Sequence, residues 1–324
     1  MRLIARGFFA GVALLLAAFP ARAALPAYPT KPLRLVTGSA PGGGSDFVAR
    51  TLAEKLGERL SQTVLVDNRP GAGGAIGADV VAKANPDGYT LLVNTGSGIA
   101  VNPALQALPY EVKRDFAPVL LVSRAPFVLA VHPSLAAKNV TELLALLKAQ
   151  PKKYSYASSG MGAMSHLAME LFKSVAGVNV VHVPYRGSAP AAVDLIAGQV
   201  QLAMNNIVPT LPHVQSGRLR ALGVSSAKRS GTLPDVPTIA EAGVPGYEMS
   251  PWIGVYVPAN TPKEIIAKLN SEINKALKAP EVNQLLASQA LDPLGGTPEE
   301  FDARIKIDYE KYGKLIKLTG AKVD

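Results

Sequence analysis

Two stretches of the chain place glycines and hydroxyls where an apolar run gives way to an amphipathic one. The first, Ala40-Pro41-Gly42-Gly43-Gly44-Ser45-Asp46, follows the apolar run Leu33 to Thr37. Three glycines let the backbone approach a ligand closely, and the free amides of a helix start point into such a loop. Together they make an anion site that needs no basic side chain. The plainer reading is a tight strand-to-helix turn with Ser45 or Asp46 as a simple N-cap. The second stretch, Ser158-Ser159-Gly160-Met161-Gly162, repeats the arrangement after the run Tyr154 to Ala157. Two such loops, one in each half of the chain, read as jaws that close on one ligand. Asn94-Thr95-Gly96-Ser97-Gly98 supplies further polar groups after a third strand, although polar loops of this kind are common on protein surfaces.

Other chemistries fail on spacing. The chain has no Cys, and its four His, at 132, 166, 182 and 213, show neither H-x-x-H nor H-E-x-x-H spacing. No metal and no cofactor is expected. Gly71-Ala72-Gly73 followed by Gly77 imitates a dinucleotide turn, but the next strand ends at Asn94 rather than at an acidic residue for a ribose. Ser225-Ser226-Ala227-Lys228 matches S-x-x-K, yet S-D-N and K-T-G are both absent. His166 lies beside Ser165 in a helical stretch, and with no acid accompanying it reads as a partnered helix histidine rather than a base. No catalytic constellation emerges, so the chain is not expected to be an enzyme.

The elements that must hold these loops follow from periodicity. Val48, Leu52, Leu56 and Leu60 recur at four-residue spacing, marking an amphipathic helix that starts near Ser45. Strands are predicted at Leu33 to Thr37, Val64 to Asp67 and Thr90 to Asn94, with a short helix over Ile76 to Ala84. This β-α-β-α-β order predicts a parallel sheet with crossover helices, whose ligands sit beyond the carboxyl ends of the strands. Two strand runs separated only by Ser123 to Pro126 follow, and the β/α pattern then restarts and later returns. Pro262 and Pro298, each after a Thr, are predicted to open helices. The result is an α/β protein of two lobes, one built from 24–124 and 228–324 and the other from 125–227.

Arg2 and Arg6 precede an uncharged apolar run from Gly7 to Phe19, and Ala21-Arg22-Ala23 follows as a cleavage pattern. The run is too short for a membrane anchor, so 1–23 reads as an export signal cleaved after Ala23. At 324 residues, 48% hydrophobic and 18% charged, the chain is long and apolar enough to build sizeable cores, which excludes a disordered protein. Its net charge of +9 includes three arginines in that signal, and no run of five basic residues occurs. A bias toward small anionic ligands or a membrane surface fits this scatter better than nucleic acid does.

Tyr28-Pro29, Lys31-Pro32-Leu33-Arg34-Leu35-Val36 and Pro41-Gly42-Gly43 with Asp46, Ala49 and Arg50 resemble the opening of the Bug extracytoplasmic solute receptors, the binding components of tripartite tricarboxylate transporters. The resemblance continues through Asn68-Arg69-Pro70-Gly71-Ala72-Gly73-Gly74, Pro86-Asp87-Gly88-Tyr89-Thr90, His182-Val183-Pro184-Tyr185-Arg186-Gly187 and Leu233-Pro234-Asp235-Val236-Pro237-Thr238. It implies a type II periplasmic binding protein, two β/α lobes joined by a hinge with the ligand cleft between them. It further implies a monomer in the periplasm that binds a small mono- or dicarboxylate, serves two integral membrane permease subunits and performs no catalysis. The family's ligand loops carry over onto Ser39, Ala40, Gly42, Gly43, Gly44, Ser45 and Asp46, onto Asn94, Thr95 and Ser97, and onto Ser158, Ser159 and Gly160. Tyr185, Asn205 and Trp252 complete the expected set.

Two departures bear on the ligand. Val36-Thr37-Gly38-Ser39 stands where the family commonly reads V-V-P-F, and Asn205-Asn206 stands where it commonly has an Asp-Asn pair. The first exchanges a ring for a hydroxyl, from which a longer or ring-bearing carboxylate is expected; the second removes a partner for an ammonium group. Competing readings are an exported hydrolase using Ser158 or Ser165, and a ligand-sensing receptor lobe without a transport role.

Overall fold

The computed structural model describes residues 28–320. The predicted signal over 1–23 and its cleavage point lie outside the described residues. The first lobe opens with β1 (Leu33–Thr37), α1 (Gly44–Leu60), β2 (Val64–Asn68), α2 (Ala75–Ala82) and β3 (Thr90–Thr95). Val48, Leu52 and Leu56 of α1 are buried, so the four-residue repeat is the face that packs on the sheet. A π-helical turn, Ser97–Val101, runs into α3 (Asn102–Leu105), and α4 (Val112–Asp115) then leads to β4 (Phe116–Arg124).

The second lobe holds β5 (Phe127–Val131), α5 (Val140–Ala149), β6 (Ser155–Ser158), α6 (Met164–Ala176), β7 (Val181–Pro184), α7 (Ser188–Ile196), β8 (Leu202–Asn206), α8 (Ile207–Gln215) and β9 (Arg220–Val224). The chain returns through β10 (Trp252–Pro258), α9 (Lys263–Lys278), α10 (Pro280–Ser288), β11 (Asp292–Pro293) and α11 (Pro298–Thr319).

The six-stranded sheet has the order β11-β4-β10-β3-β1-β2, and the five-stranded sheet β7-β6-β8-β5-β9. β1 is parallel to β2 and β3, and β6 is parallel to β7 and β8, as the alternating pattern predicts. The strands next to the lobe crossings depart from that pattern. β10 runs antiparallel to β3 and β4, and β5 antiparallel to β8 and β9, because each enters its sheet from the other lobe. The crossings are tied together by Ala125 N–H donating to Pro251 O (3.0 Å) and Phe127 N–H donating to Ser225 Oγ (2.8 Å).

Two stretches pack differently from the expected division at residue 228. Ile239, Val244, Tyr247 and Met249 are buried among the second lobe's side chains, and the Tyr247 hydroxyl donates to Ala168 O (3.0 Å). Residues 228–249 therefore pack on the second lobe, with Thr238 bridged to Val224 beside β9. The segment is rich in Pro and Gly and has no period, so nothing local marks which lobe it joins. α11 straddles both lobes: Phe301 and Ile305 pack beside Trp252 and Tyr256, whereas Tyr312 and Ile316 pack with the second lobe. Its start follows the predicted signal, Thr297 and Glu300 forming a capping box around Pro298. At α9 the cap position is Pro262 itself, and the Thr261 hydroxyl instead donates to Pro258 O (2.7 Å).

Candidate functional site

Between the lobes lies a cavity of about 60 Å³. From the first lobe, Gly38, Ser39, Gly44 and Ser45 line it at the β1–α1 loop, Gly73 and Gly74 ahead of α2, and Asn94, Thr95 and Ser97 after β3. From the second lobe come Ser159, Met164 and Ser165 around the start of α6, Gly187 and Ser188 at the start of α7, and Phe127 and Asn206, with Pro251 at the crossing. Among the described residues, no Asp, Glu, Lys, Arg or His lines the cavity.

The electrostatics come from helix ends. α1, α6 and α7 all begin here, and none carries a side-chain cap on its own N-cap residue, respectively Gly43, Ala163 and Gly187. Unpaired first-turn amides and the positive end of the helix dipole both favour an anion. One α6 amide is served from across the cleft, where Met164 N–H donates to Ser97 Oγ (2.8 Å). Gly44 sets how closely the lobes meet: a Cβ there would stand 2.8 Å from both terminal atoms of the Asn206 carboxamide.

Seven of the expected ligand residues line the cavity: Ser39, Gly44, Ser45, Asn94, Thr95, Ser97 and Ser159. The others stand behind them. Ala40, Gly42 and Gly43 form the turn of the loop, with Gly43 N–H donating to Ala40 O (3.0 Å). The Asp46 carboxylate faces back into that turn, accepting from Gly42 N–H (2.9 Å) and Asn68 Nδ2 (2.8 Å) and pairing with Arg50 (3.0 Å). Burial by itself would raise its pKa, but these donors outweigh burial and hold the carboxyl below its ordinary range. Asp46 is thus a brace for the loop.

Ser158 is fully buried; its hydroxyl lies 2.6 Å from His182 Nε2 and bridges to the Gly160 backbone. The Tyr185 hydroxyl is spent on Asp194 (2.8 Å), and the Trp252 indole donates to Asp308 (2.6 Å) behind the Thr95–Ser97 loop. Asn205 turns its amide to Ser188 O and Thr210 Oγ1, while its neighbour Asn206 lines the cavity. Successive residues of a strand face opposite ways, so only one member of the Asn pair can reach a ligand.

The histidine expectation also needs amending. Glu170 stands one turn beyond His166 with its carboxylate 4.0 Å from Nε2, and the His166 ring stacks on His182 at 4.2 Å. Burial, and then the neighbouring His166, push the His182 pKa down to about 3, leaving that ring neutral near pH 7. The Ser158–His182 pair does not line the cavity, whereas Ser165 does, with its hydroxyl held by Ser159 N–H (2.9 Å).

Some lining residues escaped the sequence reading. Gly187-Ser188 repeats the glycine-before-helix pattern of the two loops that were expected, so its signal was present. Gly73 and Gly74 belong to the stretch that imitates a dinucleotide turn. Phe127 and Pro251 carry no chemical signature and enter only because the chain crosses between lobes there.

Residues 48–321 match the model of the family described as tripartite tricarboxylate transporter family receptor. The chain belongs to that family. It is 38% identical over 315 residues to the protein BugT of Bordetella pertussis, covering 97% of each chain. Among solved structures, the periplasmic binding protein BugD superposes with a TM-score of 0.87 at 36% identity, covering 91% of this chain and 99% of BugD. An R. palustris protein solved with adipate gives 0.89 at 36% identity, over 91% and 100% of the two chains. MatC from Rhodopseudomonas palustris, with bound malate, gives 0.85 at 29% identity, over 89% and 100%. The expected two-lobed periplasmic binding protein architecture and the Bug resemblance both hold for this receptor.

Proposed function

We propose that this receptor captures a small aliphatic dicarboxylate in the periplasm, as a monomer, and hands it to two integral membrane permease subunits. The observation that carries the reading is a cavity walled by hydroxyls, carboxamides and glycine backbone onto which uncapped helix starts of both lobes converge, with no ionisable side chain on its wall. Such a wall holds anions by amides and helix-end fields, and it offers no carboxylate to pair with an ammonium group. α1 supplies one such end and α6 and α7 supply the opposite ones, so a molecule with a carboxylate at each end satisfies both lobes. The relatives solved with adipate and malate support this class.

Size argues against the ring-bearing carboxylate expected from Ser39. With the lobes in contact the cavity is about 60 Å³, on a measure where one water needs ~10–15 Å³. A slim chain suits that space. Thermal-shift titration of the full chain with linear dicarboxylates of four to eight carbons, phthalate and amino acids tests the proposal. A true ligand at ~100 times its Kd adds ~2.7 kcal/mol to stability. The linear acids should raise Tm and the amino acids should not. Stabilisation by amino acids alone, or by phthalate more than by any linear acid, overturns the reading. Export is checked by the mass of the periplasmic protein, which should begin at Ala24.

A further inference from the structure

A second concavity, a groove of about 660 Å³, runs along the other face of the hinge. Phe127 and Pro251 line the ligand cavity, whereas their neighbours Pro126 and Ser250 line the groove, so the crossing strands separate the two spaces. Each lobe supplies a wall. Arg124 at the end of β4 and the end of α10 form one, and the loop from Ser226 to Thr232 forms the other.

The groove's charges are unevenly matched. Arg229 is paired with Glu241 (3.0 Å), and Glu248 is held by Ser250 Oγ (2.9 Å) and Lys311 (3.6 Å). Among the described residues, Arg124 and Lys228 have no ion-pair partner, and the Arg124 Nε is buried without a hydrogen bond. Asp292 stands across the strand pair from Arg124 yet forms no ion pair with it. One unpaired cation on each lobe therefore faces a space that also presents the Ser230 and Thr232 hydroxyls.

We infer that this groove binds a small oxyanion between Arg124 of one lobe and Lys228 of the other, and that the bound anion opposes ligand capture. The sign follows from the hinge. Ser97 meets Met164 across the cleft, so the lobes are closed here and the groove behind them is spread. Opening the cleft rotates the walls of the groove toward each other and brings the two cations together. An oxyanion between them removes the repulsion that resists this motion, so it binds the open form better and, by linkage, lowers affinity in the cleft.

The coupling rests on the receptor reading above, but the site itself does not, and the test has two arms. Inorganic phosphate is titrated into the full chain by calorimetry at constant ionic strength, for the wild type and for Lys228→Glu, an exposed position. Adipate is then titrated with and without phosphate. Phosphate should bind the wild type and lose at least about tenfold in affinity in Lys228→Glu. It should also weaken adipate binding about fivefold in the wild type and leave it unchanged in the variant. Equal phosphate binding by both proteins overturns the site. Equal antagonism of adipate in both overturns the coupling, because phosphate would then be competing in the cleft. Should no dicarboxylate bind, the first arm still decides on the groove while the receptor reading fails separately.

Discussion

Gly44 is where α1 comes closest to crowding the opposite lobe's Asn206. The residue opens α1, and a methyl group there would sit 2.8 Å from the Asn206 carboxamide of the opposite lobe. Alanine suits a helix better than glycine by roughly 0.5–1 kcal/mol. Gly44→Ala should therefore keep or slightly raise Tm while lowering dicarboxylate affinity by about tenfold or more, since Asn206 must move before the lobes can meet. Calorimetry beside a thermal melt checks the pair of signs; parallel losses of stability and affinity would point to a structural role instead.

A second residue-scale device is the stack beneath the Ser158–Gly160 loop. Tyr156, His182 and His166 lie ring on ring, and the Tyr156 hydroxyl donates to Glu170, which also holds Lys173. Burial lowers the pKa of both histidines, so the unfolded chain takes up protons at a pH where the folded chain does not. Stability is then fully present above about pH 6.5 and declines as pH falls from there toward the His182 value of about 3. Tm should be lower at pH 5 than at pH 7, and His182→Gln should flatten that difference. An unchanged pH profile in the variant would assign the acid sensitivity to other groups, such as His213, whose pKa burial also lowers.

Among the elements, α11 is tied to β10 through a buried carboxylate. Its buried Asp308 accepts from the Trp252 indole (2.6 Å) and from Arg304 one turn earlier (2.7 Å). Trp252 packs edge-on against Phe301 of the same helix, with ring centroids 5.3 Å apart. The helix thus clamps the first residue of β10, directly after Pro251 in the cavity wall. Asp308→Ala strips a buried charge from two donors and should cost about 3–5 kcal/mol in urea denaturation. Trp252→Phe, which keeps the ring and loses one donor, should cost less.

For the whole molecule, closure is a balance between few contacts. Ser97 supplies the cap that α6 lacks at its own N-cap residue, so this hydrogen bond exists only when the lobes are together. Ser97→Ala should weaken the closed form by about 0.5–2 kcal/mol, the ordinary worth of an N-cap, and lower ligand affinity correspondingly. Solution scattering should show a smaller radius of gyration when a dicarboxylate is added to the wild type. An identical curve at saturation would mean that the cleft is preformed and does not close on its ligand.

The loops that make the site were legible in the sequence because their signals are local. A strand period, a glycine-rich turn and a helix period in succession predict both the element and the amide-lined start of the next one. That logic placed Gly44, Ser45 and Ser159 and the βαβ portions of both sheets, the family resemblance added Ser39, and the same local pattern extends to Gly187-Ser188. Orientation was not legible. Ser158 differs from Ser159, and Asn205 from Asn206, by one residue, yet one of each pair faces the cavity and the other is buried in its support. Nothing within a short polar stretch says which face will be covered. Trp252 and Tyr185 lie outside the cavity wall for a related reason: their partners, Asp308 and Asp194, lie 56 and 9 residues away, and only packing brings the groups within hydrogen-bonding distance. The segment 228–249 has no period at all, so its lobe was decided by where Tyr247 and Met249 found apolar cover. Local chemistry therefore determined which loops reach the cavity, while the tertiary fold decided which of their side chains line it, because a buried polar group must first find a partner.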